Sequence, residues 1–424
     1  MYMYIGIEVG TRCNAKCPWC FAEKAAGGTM TLDTFISIIE RLETLGFLHK
    51  NVMINLYEIG EPFLNNDLPE IFAYLNSKSL KYAVSTNGSV PALFKEGSGI
   101  LKNLSSLLFS VPGFSQSSYN KIHGFEFEAI KNNIAGLVTN FRDCGFAGDA
   151  RLIYHVYQFN IDEIYKAKEY ADGNKIDFYP YYAILYEWKH VRDYISNTLS
   201  YDLLMRASRE LFLGNIERAA ASRPPDFLCE FYNMLLVDLH GDLKTCCQIR
   251  RGDRGYSFGN IFKLSSKEII EKRTTQAICG ECHAMKIDHY LSVYKLFNLC
   301  AAGTSQADTA AADRDPAKVL RRHAGKKIVL AGAGEFGLAA LRYLEARNIK
   351  ADFFSDNSPL KIGRRIHGIE VIAPSGIRAR CADPLIIITT INHRQVLDQL
   401  SGLGLKTSYY FPVDAYTSQD DVNT

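Results

Sequence analysis

The chain has 424 residues, long enough for two or three domains with cores of their own. Its 48 basic and 46 acidic residues nearly cancel, which excludes a strongly basic nucleic-acid binder and a protein drawn to anionic lipid by net charge. No basic, cleavable leader pattern opens it and no apolar run reaches the roughly 18 residues of a membrane span. A cytoplasmic protein with no membrane and no nucleic-acid partner is expected. Eleven cysteines in such a chain suit metal ligation better than disulfides, because reducing compartments keep thiols free.

Taken in chain order, short β-rich runs alternate with helical patterns. Tyr4–Val9, Val52–Leu56, Tyr82–Ser85, Ser106–Val111, Arg151–Tyr157 and Ile176–Tyr181 read as strands. Leu32, Phe35, Ile39, Leu42 and Leu45 mark one amphipathic helix, and Ile130, Ile134, Leu137 and Phe141 another. The alternation predicts an α/β fold, a parallel sheet closed or partly closed as a (β/α) barrel. Six units are fewer than eight, so a partial (β/α)6 barrel is expected over residues 1–205, with its active groups at the carboxyl ends of the strands.

Directly after the first strand comes Cys13-Asn-Ala-Lys-Cys17-Pro-Trp-Cys20, a CxxxCxxC run. Thiolates select zinc or iron–sulfur clusters. Structural zinc closes with four ligands, and the next Cys or His is as distant as His49. Three thiols can instead hold three corners of an iron–sulfur cube and leave the fourth iron open. The run resembles the signature of the radical S-adenosylmethionine (SAM) superfamily, CxxxCxΦC, with Trp19 at the aromatic position. The resemblance implies a [4Fe–4S] cluster on Cys13, Cys17 and Cys20, and SAM chelated at the open iron. It also implies a 5′-deoxyadenosyl radical that abstracts hydrogen from carbon, and a flavodoxin- or ferredoxin-type electron donor.

Further elements follow successive strands. Glu58-Ile59-Gly60-Glu61-Pro62 is similar to the family's GGEP element, which implies that Gly60 and Glu61 meet the SAM amino group. Ser85-Thr86-Asn87-Gly88 is similar to its TNG element near the SAM ribose. Ser110-Val-Pro-Gly113, followed by Tyr119 and Ile122-His-Gly124, stands where the family often has SIDG, a Tyr and a short turn; Pro112 replaces the Asp. Arg151, His155 and Asn160, on or after strand five, are either substrate-facing or satisfied core polar groups.

A second cysteine set, Cys229, Cys246, Cys247, Cys279 and Cys282, falls in residues 206–300. Met234 to Thr245 reads as a hairpin turning at His-Gly-Asp. Cys229, then Gly241 four residues before Cys246, then Cys279-Gly-Glu-Cys282, looks like the opening of the SPASM/twitch cluster domains appended to radical SAM barrels. The resemblance implies a small α+β domain in which Cys229, Cys246, Cys279 and Cys282 hold a second [4Fe–4S] cluster. A zinc ribbon is the rival. Cys247 is the spare thiol, either buried or a hydrogen-atom donor, with Cys144 and Cys300 as further candidates.

Ala301 to Ala317 is small and polar and reads as part of a linker over 301–325. From Lys327 the pattern is strand, Gly332-Ala-Gly334-Glu-Phe-Gly337, helix, then a strand ending in Asp356. That context predicts a Rossmann-like domain over 326–424, with NAD or another nucleotide at Gly332, Gly334 and Gly337. Asp356 to Pro374 also resembles the small Rossmann-like domains attached to sugar acyltransferases and sugar C-methyltransferases, with Glu370 where those have proline.

Together the parts imply a radical SAM oxidoreductase acting on a small polar substrate, a sugar, cyclitol or nucleotide-linked sugar, with net oxidation. Cys247, Arg151 and His155 are its candidate catalytic residues. Sugar epimerisation and peptide modification are the alternatives. A barrel that opens near the fourth residue leaves no room before it for a domain that grips a peptide leader, which weighs against the last.

Overall fold

The computed structural model describes residues 4–22, 27–49, 51–91, 94–293, 316–390, 393–405 and 408–410. They fall into two units. One comprises residues up to Arg223 together with Phe231–Lys295, and the other comprises Pro224–Glu230 and the chain from Leu296 on.

The first unit is built on one sheet. Its parallel strands are β1 (Tyr4–Ile7), β2 (Met53–Asn55), β3 (Tyr82–Thr86), β4 (Leu104–Val111), β5 (Asp149–Val156) and β6 (Asp177–Tyr182). The crossovers carry α1 (Leu32–Thr44), α2 (Leu68–Ser77), α3 (Gln116–Lys121), α4 (Phe127–Asp143) and α5 (Ile164–Gly173). After β6 come α6 (Trp188–Ile195), α7 (Tyr201–Glu210) and α8 (Gly214–Ser222). Each strand neighbours the next in sequence, the order of a (β/α) barrel rather than of a doubly wound sheet, whose order reverses partway. All six expected strands are present, within a few residues of the sequence reading. Helix α1 shows why the pattern was legible: the Thr31 side chain accepts from the Thr34 N–H at its start, and Phe35, Ile38, Ile39 and Leu42 are buried along one face.

The sheet does not stop at β1. The hairpin β7 (Met234–Val237) and β8 (Asp242–Lys244), with β9 (Ser257–Asn260), continues it. β7 runs parallel to β1, and the pairs β7–β8 and β8–β9 are antiparallel. Helices α9 (Ser266–Thr274), α10 (Ala277–Ala284) and α11 (Ile287–Val293) follow.

In the second unit α12 (Pro316–Arg322) falls within the stretch read as linker, and its Val319 and Leu320 join the unit's core. The strands are β10 (Ile328–Ala331), β11 (Phe353–Ser355), β12 (Arg365–Ile366), β13 (Ile369–Ile372), β14 (Leu385–Ile388) and β15 (Ser408–Tyr410). Their order, β12-β13-β11-β10-β14-β15, is parallel except for β12 against β13. This is the doubly wound order with its switch point between β10 and β14. The faces are covered by α13 (Glu335–Glu345) on one side and by α14 (Ile377–Arg380) and α15 (His393–Gly402) on the other, so Leu330 and Val329 point to different cores. Among the described residues no helix is long and apolar enough to cross a membrane. Cys300 and residues 301–315 lie outside the described residues.

Gly337 is required by packing. A Cβ there would stand 2.0 Å from the Gly332 carbonyl oxygen, a backbone atom that cannot swing aside. Gly337→Ala should therefore cost the second unit about 1–3 kcal/mol, read as faster hydrogen exchange of β10 amides in denaturant. An unchanged rate would contradict this packing.

Candidate functional site

The cysteine loop leaves the carboxyl end of β1 and is tied shut at its base. Thr11 donates its N–H to the Gly28 carbonyl at 3.0 Å, and Met30 donates to that of Val9 at 2.9 Å. The buried Asn65 amide donates to the carbonyls of both Val9 and Met30 at 2.9 Å. The loops after the other strands then take hold of it. The Glu61 N–H donates to the Arg12 carbonyl at 2.9 Å and the Lys16 N–H to that of His123 at 3.0 Å. Asn87 donates through Nδ2 to Asn14 Oδ1 at 2.9 Å and stands 3.9 Å from Cys13 Sγ. Trp19 donates its indole N–H to Glu210 on α7 at 2.7 Å. A Cβ on Gly60 would stand 2.1 Å from the Gly10 carbonyl oxygen, so only glycine lets the Gly-Glu-Pro turn lie on the cysteine loop.

Glu61 latches two of these loops together. Its buried carboxylate accepts from the Phe63 N–H at 3.1 Å, the Thr86 hydroxyl at 2.9 Å and the Asn87 N–H at 2.7 Å, and burial pushes its pKa up to about 7. Ser85 and Thr86 end β3. Ser110, near the end of β4, bonds His155 Nε2 at 3.0 Å, and burial lowers the His155 pKa to about 4. His155, near the carboxyl end of β5, is thus neutral. Arg151 is not brought there: it lies in the first half of β5, bonded to Asp149 at 2.9 Å. Asn160 is a satisfied core amide, donating to the Pro112 carbonyl at 2.7 Å and accepting from the Tyr157 N–H at 2.8 Å. Cys144 caps the far end of α4, its thiol donating to the Lys95 carbonyl at 3.3 Å.

Of the second cysteine set, Cys246 and Cys247 follow β8, while Cys279 and Cys282 sit one turn apart on α10. Cys246 and Cys279 are within electrostatic reach of each other and of Arg273, which is 3% exposed; its Nη1 stands 3.9 Å from Cys279 Sγ. Burial raises the Cys279 pKa, and Arg273 opposes the rise. Cys247 donates its S–H to Cys246, which lowers the Cys246 pKa to about 7 and raises that of Cys247 well above the ordinary thiol value. Tyr186 in turn donates to Cys247. Cys229 belongs to the segment Pro224–Glu230 of the second unit.

Among the described residues no group of three Cys, His, Asp or Glu side chains is placed to hold a metal ion, and a cube would take one thiolate per iron. Buried polar atoms with no hydrogen-bond partner among the described residues stand at both thiol groups. They are the Tyr119 hydroxyl, within electrostatic reach of Cys17, and Thr245 Oγ1 with the Gln248 amide, which flank Cys246 and Cys247 in sequence. A cavity of about 230 Å³ opens beside the first group, lined by Cys20, Phe21, Tyr186, Glu187, His190 and Arg250 among others.

The sequence reading missed a buried ion triad. Lys244, ending β8 and 2% exposed, stands 3.1 Å from Glu58 Oε2 and 3.5 Å from Glu8 Oε1. Burial opposes the ammonium charge, but Glu58 and Glu8 outweigh it and hold Lys244 protonated. For Glu8 burial wins and raises its pKa to about 7, against the pull of Lys244. The nearer carboxylate pairs the lysine and the farther one takes a proton near neutrality. The available signal was Glu8 itself, an acid closing an otherwise apolar strand.

No family model matches the chain. It is 24% identical to Fe-coproporphyrin III synthase of Methanosarcina barkeri over 54% of this chain and 54% of that protein. It is 27% identical to the antilisterial bacteriocin subtilosin biosynthesis protein AlbA of Bacillus subtilis over 39% and 36%. It is 32% identical to 7-carboxy-7-deazaguanine synthase of Aquifex aeolicus over 18% and 33%. These similarities join the three-thiol loop and the strand-end elements that grip it. The chain belongs to the radical SAM superfamily. It spans about half the length of the first of these relatives and about a third of the other two. Among solved structures, Streptococcus suis SuiB bound to precursor peptide SuiA is similar at 14% identity and a TM-score of 0.44, over 68% of this chain and 71% of that one. BtrN in complex with AdoMet and 2-DOIA is similar at 16% and 0.36, over 72% and 97%. Radical SAM proteins use SAM with a [4Fe–4S] cluster.

Glu8 binds its proton more tightly in this radical SAM fold than in the unfolded chain. The stability that the proton confers is complete below about pH 4.5 and is lost as pH rises through about 7. Glu8→Gln should flatten that decline, measured as unfolding midpoint against pH, while Glu61 keeps its own share. Lys244→Met leaves two buried carboxylates without their cation and should cost about 3–5 kcal/mol at neutral pH. A midpoint within error of wild type would show that the triad is not closed.

Proposed function

We propose that this radical SAM chain is an oxidoreductase that removes hydrogen from a carbon of a small polar substrate, a sugar, cyclitol or nucleotide-linked sugar, with net oxidation to a ketone. In this reading Cys13, Cys17 and Cys20 hold the SAM-binding [4Fe–4S] cluster, and Cys246, Cys279 and Cys282 with Cys229 hold a second. Those groups would supply a hydrogen-abstracting adenosyl radical and an acceptor for the second electron, with a flavodoxin- or ferredoxin-type protein as donor. Trp19, the Gly60–Glu61 turn, Ser85, Thr86, Asn87 and Ser110 frame the SAM site. The neutral His155 remains on the substrate side. The observation that carries the reading is the place of the second thiol group: Cys246 leaves β8, which reaches β1 through β7 in the same sheet. Arg273 beside Cys279 favours thiolate, as a ligand requires. The cavity beside Cys20 is nearer the size of a small ligand than of a folded peptide, and Glu187, His190 and Arg250 offer it polar contacts.

Epimerisation is the second reading, favoured by Cys247. Its thiol is held protonated by the bond to Cys246 and by burial, and Tyr186, which bonds it, also lines the cavity. A carbon radical on the substrate would then take a hydrogen atom from this sulfur on the opposite face, with no net oxidation of the substrate. The thiyl radical left on Cys247 would be returned to the thiol by one electron from the flavodoxin- or ferredoxin-type donor and one solvent proton.

The reconstituted full chain should hold about eight irons in two clusters. Replacing Cys13, Cys17 and Cys20 by Ala should leave about four irons and abolish 5′-deoxyadenosine formation. One zinc per wild-type chain would overturn the second cluster. With candidate sugars in deuterated water, the oxidoreductase forms ketone without solvent deuterium at the abstracted carbon, and Cys247→Ala leaves that yield largely intact. Deuterium in an inverted product that is lost in Cys247→Ala, with 5′-deoxyadenosine still formed, would establish the epimerase instead. A mass change confined to a co-encoded short peptide would replace both by peptide modification.

A further inference from the structure

The glycine-rich turn of the second unit lies against the chain's own segment Pro224–Glu230, which belongs to that unit. A narrow cavity between them is lined by Phe227, Leu228 and Glu230 on one side and by Ala333, Gly334 and Lys361 on the other. A carboxylate oxygen of Glu230 stands 3.1 Å from where a Cβ on Gly334 would be, so the missing side chain is what admits it. Asp226 fastens the same segment by accepting the His367 N–H at 3.2 Å, and Phe227 is buried.

The acid expected for a ribose is engaged as well. Asp356 accepts the Ala333 N–H at 2.9 Å, the Ser358 N–H at 2.8 Å and the Lys361 ammonium at 3.2 Å. A dinucleotide needs the turn for its pyrophosphate and the acid for its ribose. Here the acid is closed onto the turn itself, and a phosphate arriving at Gly334 would meet the Glu230 carboxylate, like charge against like. We infer that the Gly332–Gly337 turn is a receptor for the chain's own Pro224–Glu230 segment, closed to dinucleotides by Glu230, and that the second unit serves to hold in place the backbone that carries Cys229. This inference is independent of the substrate and of either reaction above.

Hydrogen exchange by mass spectrometry on the full chain tests it, comparing wild type, Gly334→Val, Glu230→Ala and the double variant, with NAD⁺ titrated calorimetrically into wild type. Amides of residues 225–233 should exchange at least about ten-fold faster in each single variant, and the double variant should be no faster than the worse single one, as for two ends of one contact. Amides of β14 should keep wild-type protection, which shows that the unit remains folded. If Gly334→Val loses that protection, Glu230→Ala alone decides. NAD⁺ should give no binding heat. Wild-type exchange over 225–233 in a variant that stays folded, additive effects in the double variant, or saturable NAD⁺ binding would each overturn the inference.

Discussion

Everything at the candidate site depends on holding one long loop still. Three thiols must be presented from a segment between β1 and α1 that, among its described residues, has no helix or ladder of its own around them. The chain solves this with backbone-level contacts from its neighbours: the Glu61 N–H on the Arg12 carbonyl, the Lys16 N–H on that of His123, and Gly60 lying almost on Gly10. Such contacts hold the loop wherever the side chains turn. They also explain why the strand-end elements act as a set. The Gly-Glu-Pro turn and the Thr-Asn-Gly turn are joined through the Glu61 carboxylate before either meets a ligand.

Charge is handled differently on the hairpin side. A lone buried lysine would be very unfavourable, and two buried carboxylates more so; Lys244, Glu58 and Glu8 together carry one excess negative charge that a single proton on Glu8 removes. Because the three come from β8, the turn after β2 and the end of β1, their pairing also fixes the hairpin against the strands that present the cysteine loop.

How much of this the sequence revealed depended on how local the signal was. Elements with strong periodicity were legible as such, Ile130, Ile134, Leu137 and Phe141 all falling within the helix Phe127–Asp143, and so was the thiol spacing. The hairpin at Met234 was legible, but not its pairing with β1, since hydrogen bonds across more than two hundred residues leave no mark in a local pattern. The same limit hid Lys244, whose meaning rests on two distant acids. Arg151 looked available because an arginine in a strand is conspicuous; Asp149, two residues earlier on the same face, had already engaged it. The glycine-rich turn was read correctly as strand–turn–helix, but what lies over it is set by a segment a hundred residues away.

The continuation of the sheet past β1 bears on how this chain could be divided. β1 has β2 on one side and β7 on the other, with Ile5 and Ile7 fully buried. A fragment ending before the hairpin would uncover the whole length of β1 as an unpaired apolar edge, the kind of surface along which copies of a chain associate. The hairpin is therefore a gatekeeper of solubility for the strand that bears the cysteine loop. Its thiols cannot be exchanged for those of another protein as a detachable cassette without also replacing the strand that closes the edge.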